Sequence, residues 1–341
     1  MQKHRVTIKD LAKALNISTS TVSRALRDHP EINADTRKAV LELAAAMDYQ
    51  PNLVSLSLLN QKTNTIGVIV PKMGYHFFSH ALDGIESILA PKGYTVMVCQ
   101  TNERYEKEVD TVNNLAAGRV DGFLISVSGK TSQYGHLDTA KRRGLPVVLF
   151  DRTFEGYQSS QVIIDNYKAA KAAVQHLIDI GCRKIAYLGG PETLALSNTR
   201  LKGYLDILQE YQLLVDPARI RHCDVSWEGA VAAARTLLEH PERPDAIFAM
   251  SDRFAFAVMA VCKQKGFQIP EDVAVIGFNN DAVGELTTPS LSTISQNSFN
   301  MGEVAARLLL RELESKEPFQ PETIILPTEL VIRESTMKVK K

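Results

Sequence analysis

Two textures of apolar and polar positions divide the chain. Residues 5–50 show only helical periodicity. Ile8, Leu11, Ala12 and Leu15 fall at i, i+3, i+4 and i+7, with Thr7 placed to cap the helix and Asp10 at its third position. Asn16-Ile17-Ser18 is long enough only for a turn. Ser18 then caps a second helix that turns Val22, Ala25 and Leu26 inward. After Asp28-His29-Pro30, Asn33 caps a third helix with Val40, Leu43, Ala44 and Met47 on one face. Three short helices with a three-residue turn between the first two describe a helix-turn-helix unit.

From Thr65 the pattern becomes alternating strand and helix. Apolar, β-branched runs occur at IGVIV (66–70), TVMVC (95–99), GFLIS (122–126), PVVLF (146–150), KIAYL (184–188), AIFAM (246–250) and VAVIGF (273–278). Amphipathic stretches such as Tyr167–Ile180 and Trp227–His240 lie between them. Continuous apolar strands suit a parallel sheet covered by helices on both faces. This much alternation exceeds one doubly wound sheet and predicts two similar α/β lobes. Residues 52–64 (NLVSLSLLNQKTN) join the two regions, too polar for a core helix and too apolar for a plain linker.

Composition narrows the class. At 341 residues the chain should hold two or three domains, and 45% hydrophobic with 23% charged residues is a globular balance. The net charge is zero, yet residues 1–62 carry nine Lys/Arg against six Asp/Glu, a surplus of three positive charges. No apolar run approaches the roughly 18 residues of a membrane span. No apolar segment follows the basic start MQKHRVTIKD, so a cytoplasmic location is expected. Cys99, Cys182, Cys223 and Cys262 are far apart and read as reduced thiols. The motifs for a P-loop, a nucleophile elbow, a dinucleotide fold or a zinc protease are missing, and the histidines lack metal spacing apart from His76/His80. No enzyme activity, cofactor or metal is expected.

The second helix is the strongest local signal. Thr19, Ser20, Thr21 and Ser23 are small hydroxyl residues, and Arg24 lies one turn further on. Short polar side chains let a helix N-terminus come close to base edges and phosphates, where its N–H groups add to phosphate binding. The bland alternative is an exposed helix with an ordinary serine cap.

The strings TIKDLA (7–12) and TVSRAL (21–26), with Tyr49-x-Pro51-Asn52, resemble the DNA-binding headpiece of the lactose-repressor (LacI/GalR) family of bacterial transcription regulators. The resemblance continues through IGVIVP, LFDR, AYLGGP, RLKGY, AMSDRFAF, IPEDVAVIGFNN and LSTISQ to residue 335. It implies an N-terminal all-α helix-turn-helix headpiece (5–50), a hinge (51–63) and a two-lobed, type I periplasmic-binding-protein-like α/β domain (64–335). The lobes are expected at about 64–160 with 296–322, and about 162–292 with 323–335. The resemblance further implies that Leu58 wedges into the minor groove of operator DNA and that Val54 faces a partner hinge. An exposed leucine in a polar linker fits that use, since insertion between base steps kinks the duplex. Leu59 stands where the family often has lysine.

For the α/β domain the resemblance implies a small effector, preferably a neutral sugar or sugar derivative. Phe77 and Phe78 would wall the site, Asp151 would accept from ligand hydroxyls beside Arg152, and Arg200 would anchor ring oxygens or an acid. Trp227, Ser251 and Asn279 complete the implied set, with Asp252 beside Ser251. Each has a plainer alternative: Phe77 and Phe78 as core, Asp151 and Asp252 as helix caps, Trp227 as a loop anchor. Asn279 replaces the family's common Asp, and Leu194 and Leu196 stand where purine-sensing members place polar contacts. The expected protein is a sequence-specific regulator, a repressor by preference, that binds pseudo-palindromic operator DNA as a homodimer under effector control. A C-terminus without a leucine heptad favours the dimer over a tetramer. The rival reading is a cytosolic sugar-binding module without regulatory DNA binding.

Overall fold

The computed structural model describes residues 6–49, 62–154 and 156–337. The chain divides into two compact units, 1–63 and 64–341. The first holds α1 (Ile8–Leu15), α2 (Thr19–Leu26) and α3 (Ala34–Ala46). Each start is capped as its sequence predicts. The Asp10 carboxylate accepts from the Thr7 N–H (2.8 Å) and hydroxyl (2.7 Å), Ser18 Oγ from Thr21 N–H (3.0 Å), and Asn33 Oδ1 from Thr36 N–H (2.7 Å). Asn16 closes α1 in the left-handed region at φ 52°, a conformation asparagine tolerates. Leu11, Ala12, Val22, Ala25, Val40 and Ala44 form the core.

The second unit carries twelve strands among its described residues. They are β1 (Thr65–Val70), β2 (Thr95–Gln100), β3 (Gly122–Ile125), β4 (Val147–Phe150), β5 (Ser160–Ile164) and β6 (Ile185–Gly189). There follow β7 (Ile220–His222), β8 (Ala246–Ala249), β9 (Ala274–Ile276), β10 (Thr293–Ser295), β11 (Thr323–Leu326) and β12 (Glu329–Val331). The first lobe is a six-stranded parallel sheet ordered β11-β5-β4-β3-β1-β2, the second a four-stranded parallel sheet ordered β7-β6-β8-β9. β10 and β12 pair antiparallel.

Strand alternation explains why both faces are apolar. Ile66, Val68, Val70, Leu124 and Val148 pack into one core, while Ile69, Phe123, Ile125, Val147 and Leu149 pack into another. The helices His76–Leu89 and Ser298–Glu314 share the first core. None of the four cysteines is in a disulfide, and Cys182 and Cys262 are buried.

The lobe boundaries differ from the sequence expectation. β5 runs to Ile164 in the first sheet, and β11 pairs with it in parallel, Thr323 against Gln161 through Leu326 against Ile164. Residues 323–326 therefore belong to the first lobe, not the second. The pairing covers the open edge of β5 with a segment some 160 residues away, and no local pattern announces such a partner.

Candidate functional site

In open α/β sheets ligands sit beyond the carboxyl ends of the strands. Here both sheets send those ends toward one cleft. Tyr75–Phe78 follow β1, Asp151 follows β4, Trp227 follows β7, Ser251 follows β8 and Asn279 follows β9. A cavity of about 360 Å³ opens between them. All seven residues singled out for an effector (Phe77, Phe78, Asp151, Arg200, Trp227, Ser251 and Asn279) line it. So do Tyr75, Met250, Arg253, Phe254 and Gln296, which sequence reasoning missed.

Arg200 lies in the helix Ala195–Glu210 and is 2% exposed. Its Nε donates to Asn166 Oδ1 (2.8 Å), one Nη donates to the Met250 carbonyl (2.5 Å), and the guanidinium stacks on Phe278 at 3.5 Å from the ring centroid. Burial lowers its pKa to about 10, so it stays charged at neutral pH. The fork is thus fixed before any ligand arrives.

Asp151 takes a left-handed backbone (φ 60°) at the end of β4, and burial raises the pKa of its carboxyl. Arg152 Nε is 3.8 Å from Asp151 Oδ2, while Arg152 Nη1 donates to both Glu103 oxygens at 2.9 Å. The Glu103 carboxylate also accepts from Gly129 N–H (2.7 Å). A buried guanidinium needs such a partner, and Glu103 supplies it.

Ser251 caps the helix Asp252–Lys265 through a 3.4 Å bond from Phe254 N–H. Asp252 does not cap. Its oxygens accept from Thr293 Oγ1 (2.6 Å) and Asp281 N–H (2.6 Å), tying the loop after β9 to β10. Asn279, at φ 116°, accepts from the Gln296 amide at 2.5 Å, which leaves the buried Gln296 Oε1 without a partner and in need of a donor.

Burial delays ionisation of Asp252 to about pH 6, against an ordinary 3.8. Stability due to the neutral carboxyl is complete below the unfolded value and is lost as pH rises through the folded one. Asp252→Asn keeps both hydrogen bonds possible and removes the titration. It should gain stability relative to wild type, by up to about 3 kcal/mol, between pH 4 and 7. Urea melts of both proteins across that range check it; a constant difference refutes the assignment.

The aromatic residues divide by exposure. Phe77 (5%) and Phe78 (2%) are mostly core, packed edge to face at 5.2 Å, and offer the cavity only part of their surface. Trp227, at the start of the helix Trp227–Leu238, is 37% exposed and lines the cavity. Tyr75 spans the lobes, donating to the Val225 carbonyl (3.2 Å) with Arg253 over its ring at 5.4 Å. The His76 and His80 rings lie 5.2 Å apart, tilted by 36°, but no group of three metal-ligating side chains occurs among the described residues.

In the headpiece, Thr19, Ser20 and Arg24 are exposed, and Thr21 and Ser23 are half-buried. The Ser18 hydroxyl holds those of Ser20 (2.6 Å) and Thr21 (2.8 Å), organising the first turn of α2. Arg24 meets Glu31 at 3.4 Å in an exposed pair, an interaction weak enough to exchange for another. Val54 and Leu58 lie outside the described residues.

A helix-turn-helix unit joined to a two-lobed α/β binding domain defines a DNA-binding regulator with a ligand cleft. Residues 7–52 match the family described as bacterial regulatory proteins, lacI family, and residues 174–336 match a periplasmic binding protein-like domain. Catabolite control protein A of Priestia megaterium is 33% identical over 332 residues, 97% of this chain and 99% of the relative. The chain belongs to the LacI family of bacterial transcription regulators. A cellobiose complex of the regulator CelR is similar in structure, with a TM-score of 0.74 and 29% identity over 97% of this chain and all of the other. The lac repressor dimer bound to operator and an anti-inducer shares the fold, with a TM-score of 0.86 and 24% identity over 98% of this chain and 100% of that one. No described helix is long and apolar enough to cross a membrane.

Proposed function

We propose that the cleft takes a neutral sugar or sugar derivative, and that its occupancy sets how tightly paired headpieces hold a pseudo-palindromic operator. Charge balance carries the first half of this reading. The cavity lining holds three arginines (Arg152, Arg200, Arg253) and three aspartates (Asp151, Asp252, Asp281), so no net field favours an anion. A polyhydroxyl ring uses what remains: donors from Arg200, acceptors at Asp151 and Gln296 Oε1, and a stacking face on Trp227. The cellobiose complex of a structural neighbour supports the same ligand class. In this reading the residues hold and orient the ligand, and the site binds without turnover. A thermal-shift screen of sugars and sugar phosphates tests the reading, because any ligand of the folded state raises its stability. Neutral sugars should stabilise the chain; a response to sugar phosphates alone would reverse the assignment.

On the DNA side, Ser20 and Arg24 read or position the operator from the exposed face of α2, and two-fold symmetry of a homodimer places two such helices on two half-sites. Alanine at either position leaves the Val22–Ala25 core untouched. Each substitution should cost about 1–3 kcal/mol of specific binding at one operator position. Unchanged affinity and base preference in both variants would remove α2 from the interface.

A further inference from the structure

The first lobe carries another cavity away from the cleft, and we propose that it binds a free α-amino acid as its zwitterion. This cavity lies at the amino ends of β4 and β5, whereas the cleft lies at the carboxyl ends. Its volume of about 400 Å³ is that of an ordinary small-molecule site. It shares no lining residue with the cleft cavity. Lys141 lines it from the last turn of the helix Gly135–Arg142, and Glu312 from the last turn of the helix Ser298–Glu314. Leu145, Pro146, Pro318 and Phe319 supply an apolar wall.

Two opposite charges carry the assignment. Lys141 is half-buried, and its ammonium donates to the Gln158 carbonyl and lies over the Tyr157 ring at 4.4 Å. Glu312 is half-buried as well and is held by the Ser160 hydroxyl. Burial lowers the pKa of Lys141 and raises that of Glu312, and each group partly offsets the effect on the other. They nevertheless form no direct ion pair, so each has lost hydration that its counterpart does not replace. A simple anion would suit Lys141 but meet Glu312 and the exposed Glu317. A simple amine would suit the carboxylates but meet Lys141. A neutral sugar would leave both charges without a counter-charge. An α-amino acid brings a carboxylate for Lys141, an ammonium for Glu312 and a side chain for the apolar wall.

Calorimetry on the full chain tests this with L-leucine, L-methionine and L-phenylalanine. Each is set against the amine and the acid that it becomes when its carboxylate or its ammonium is removed. At least one amino acid should bind with a Kd of about 1 mM or tighter, and its single-charge analogues should bind about tenfold or more weakly. Lys141→Met and Glu312→Gln should each weaken amino-acid binding about tenfold or more, with operator binding as the check that the chain folds. The comparison with the single-charge analogues uses the unaltered chain and decides the matter if a variant fails to fold. An amine or acid that binds as tightly as its amino acid would overturn the proposal. So would amino-acid binding that either substitution leaves unchanged, or no binding of any of the three amino acids.

Discussion

Replacing Arg200 with Met is expected to abolish the effector response while operator binding without effector stays near wild type. The methionine keeps part of the apolar contact with Phe278 but removes every donor. Asn166 Oδ1 and the Met250 carbonyl lose the bonds that Arg200 gives them at 2.8 and 2.5 Å. Asp151, buried and already raised in pKa, loses one of the charges that favour its ionised form. Removing one member of a buried charged set costs about 3–5 kcal/mol. Effector affinity should fall by two orders of magnitude or more, since a hydrogen bond from a charged donor is worth about 1.5–3 kcal/mol and the fork makes more than one. Adding Asp151→Asn should recover part of the stability without recovering the response, because the stranded carboxyl is gone and the donors are still missing. Arg200→Lys should fail as well, since an ammonium cannot reproduce the fork. Urea melts read the stability, and operator titrations with and without effector read the response. A folded Arg200→Met protein that releases operator at the wild-type effector concentration would end the anchoring role.

The same residue shows how far sequence reading reaches. The family resemblance of the string RLKGY pointed to Arg200, which lines the cavity; that it is buried and bonded to Asn166 and Met250 was not legible, because both partners come from other elements. The headpiece was legible almost throughout, since its caps and core positions are set by contacts within a few residues. The seven apolar runs all became strands; five of them (β1, β3, β4, β6 and β8) are sheet-interior, where a parallel strand is apolar on both faces, while β2 and β9 lie at edges. β5, β7, β10, β11 and β12 carried no such signal. β7 and β11 lie at sheet edges, β10 and β12 form a separate short pair, and β5 alternates buried with half-buried positions, so that residues such as Ile325 (60% exposed) stay open. The missed site residues follow the same rule. Tyr75 and Gln296 acquire their roles only once two lobes face each other, Tyr75 through the Val225 carbonyl and Gln296 through Asn279. Leu196 was read as an argument against a nucleobase, and the structure places it in the lining of the cavity.

The largest loss of stability is expected far from any polar chemistry, where the helices His76–Leu89 and Ser298–Glu314 cross. A methyl group on Gly84 would sit 2.1 Å from the Phe299 carbonyl oxygen, and one on Gly302 would sit 2.0 Å from that of Ala81. Packed helices ordinarily keep their axes about 8–10 Å apart, and side chains set that spacing. Here two glycines remove the side chains and the backbones touch. Glycine inside a helix costs about 0.8–1 kcal/mol relative to alanine, so the fold accepts that cost twice in return for close packing. Gly302→Ala regains the propensity but meets main chain, which cannot swing aside as a side-chain tip can. The helices must part by more than an ångström. Overpacking of a well-fitted core costs about 1–3 kcal/mol and occasionally more, and a rigid backbone obstacle belongs at or above the upper end. The cleft should suffer with the fold, because Phe77 and Phe78 lie in the first turn of one helix and Gln296 precedes the Asn297 cap of the other. Gly74→Ala is the control, as nothing lies within 4 Å of its added methyl group. The double variant should cost less than the sum of the single ones, since helices parted for the first methyl already have room for the second. Urea midpoints of Gly84→Ala, Gly302→Ala, the double variant and Gly74→Ala against wild type measure this directly. A Gly302→Ala chain as stable as Gly74→Ala would mean that the two helices do not cross at these glycines.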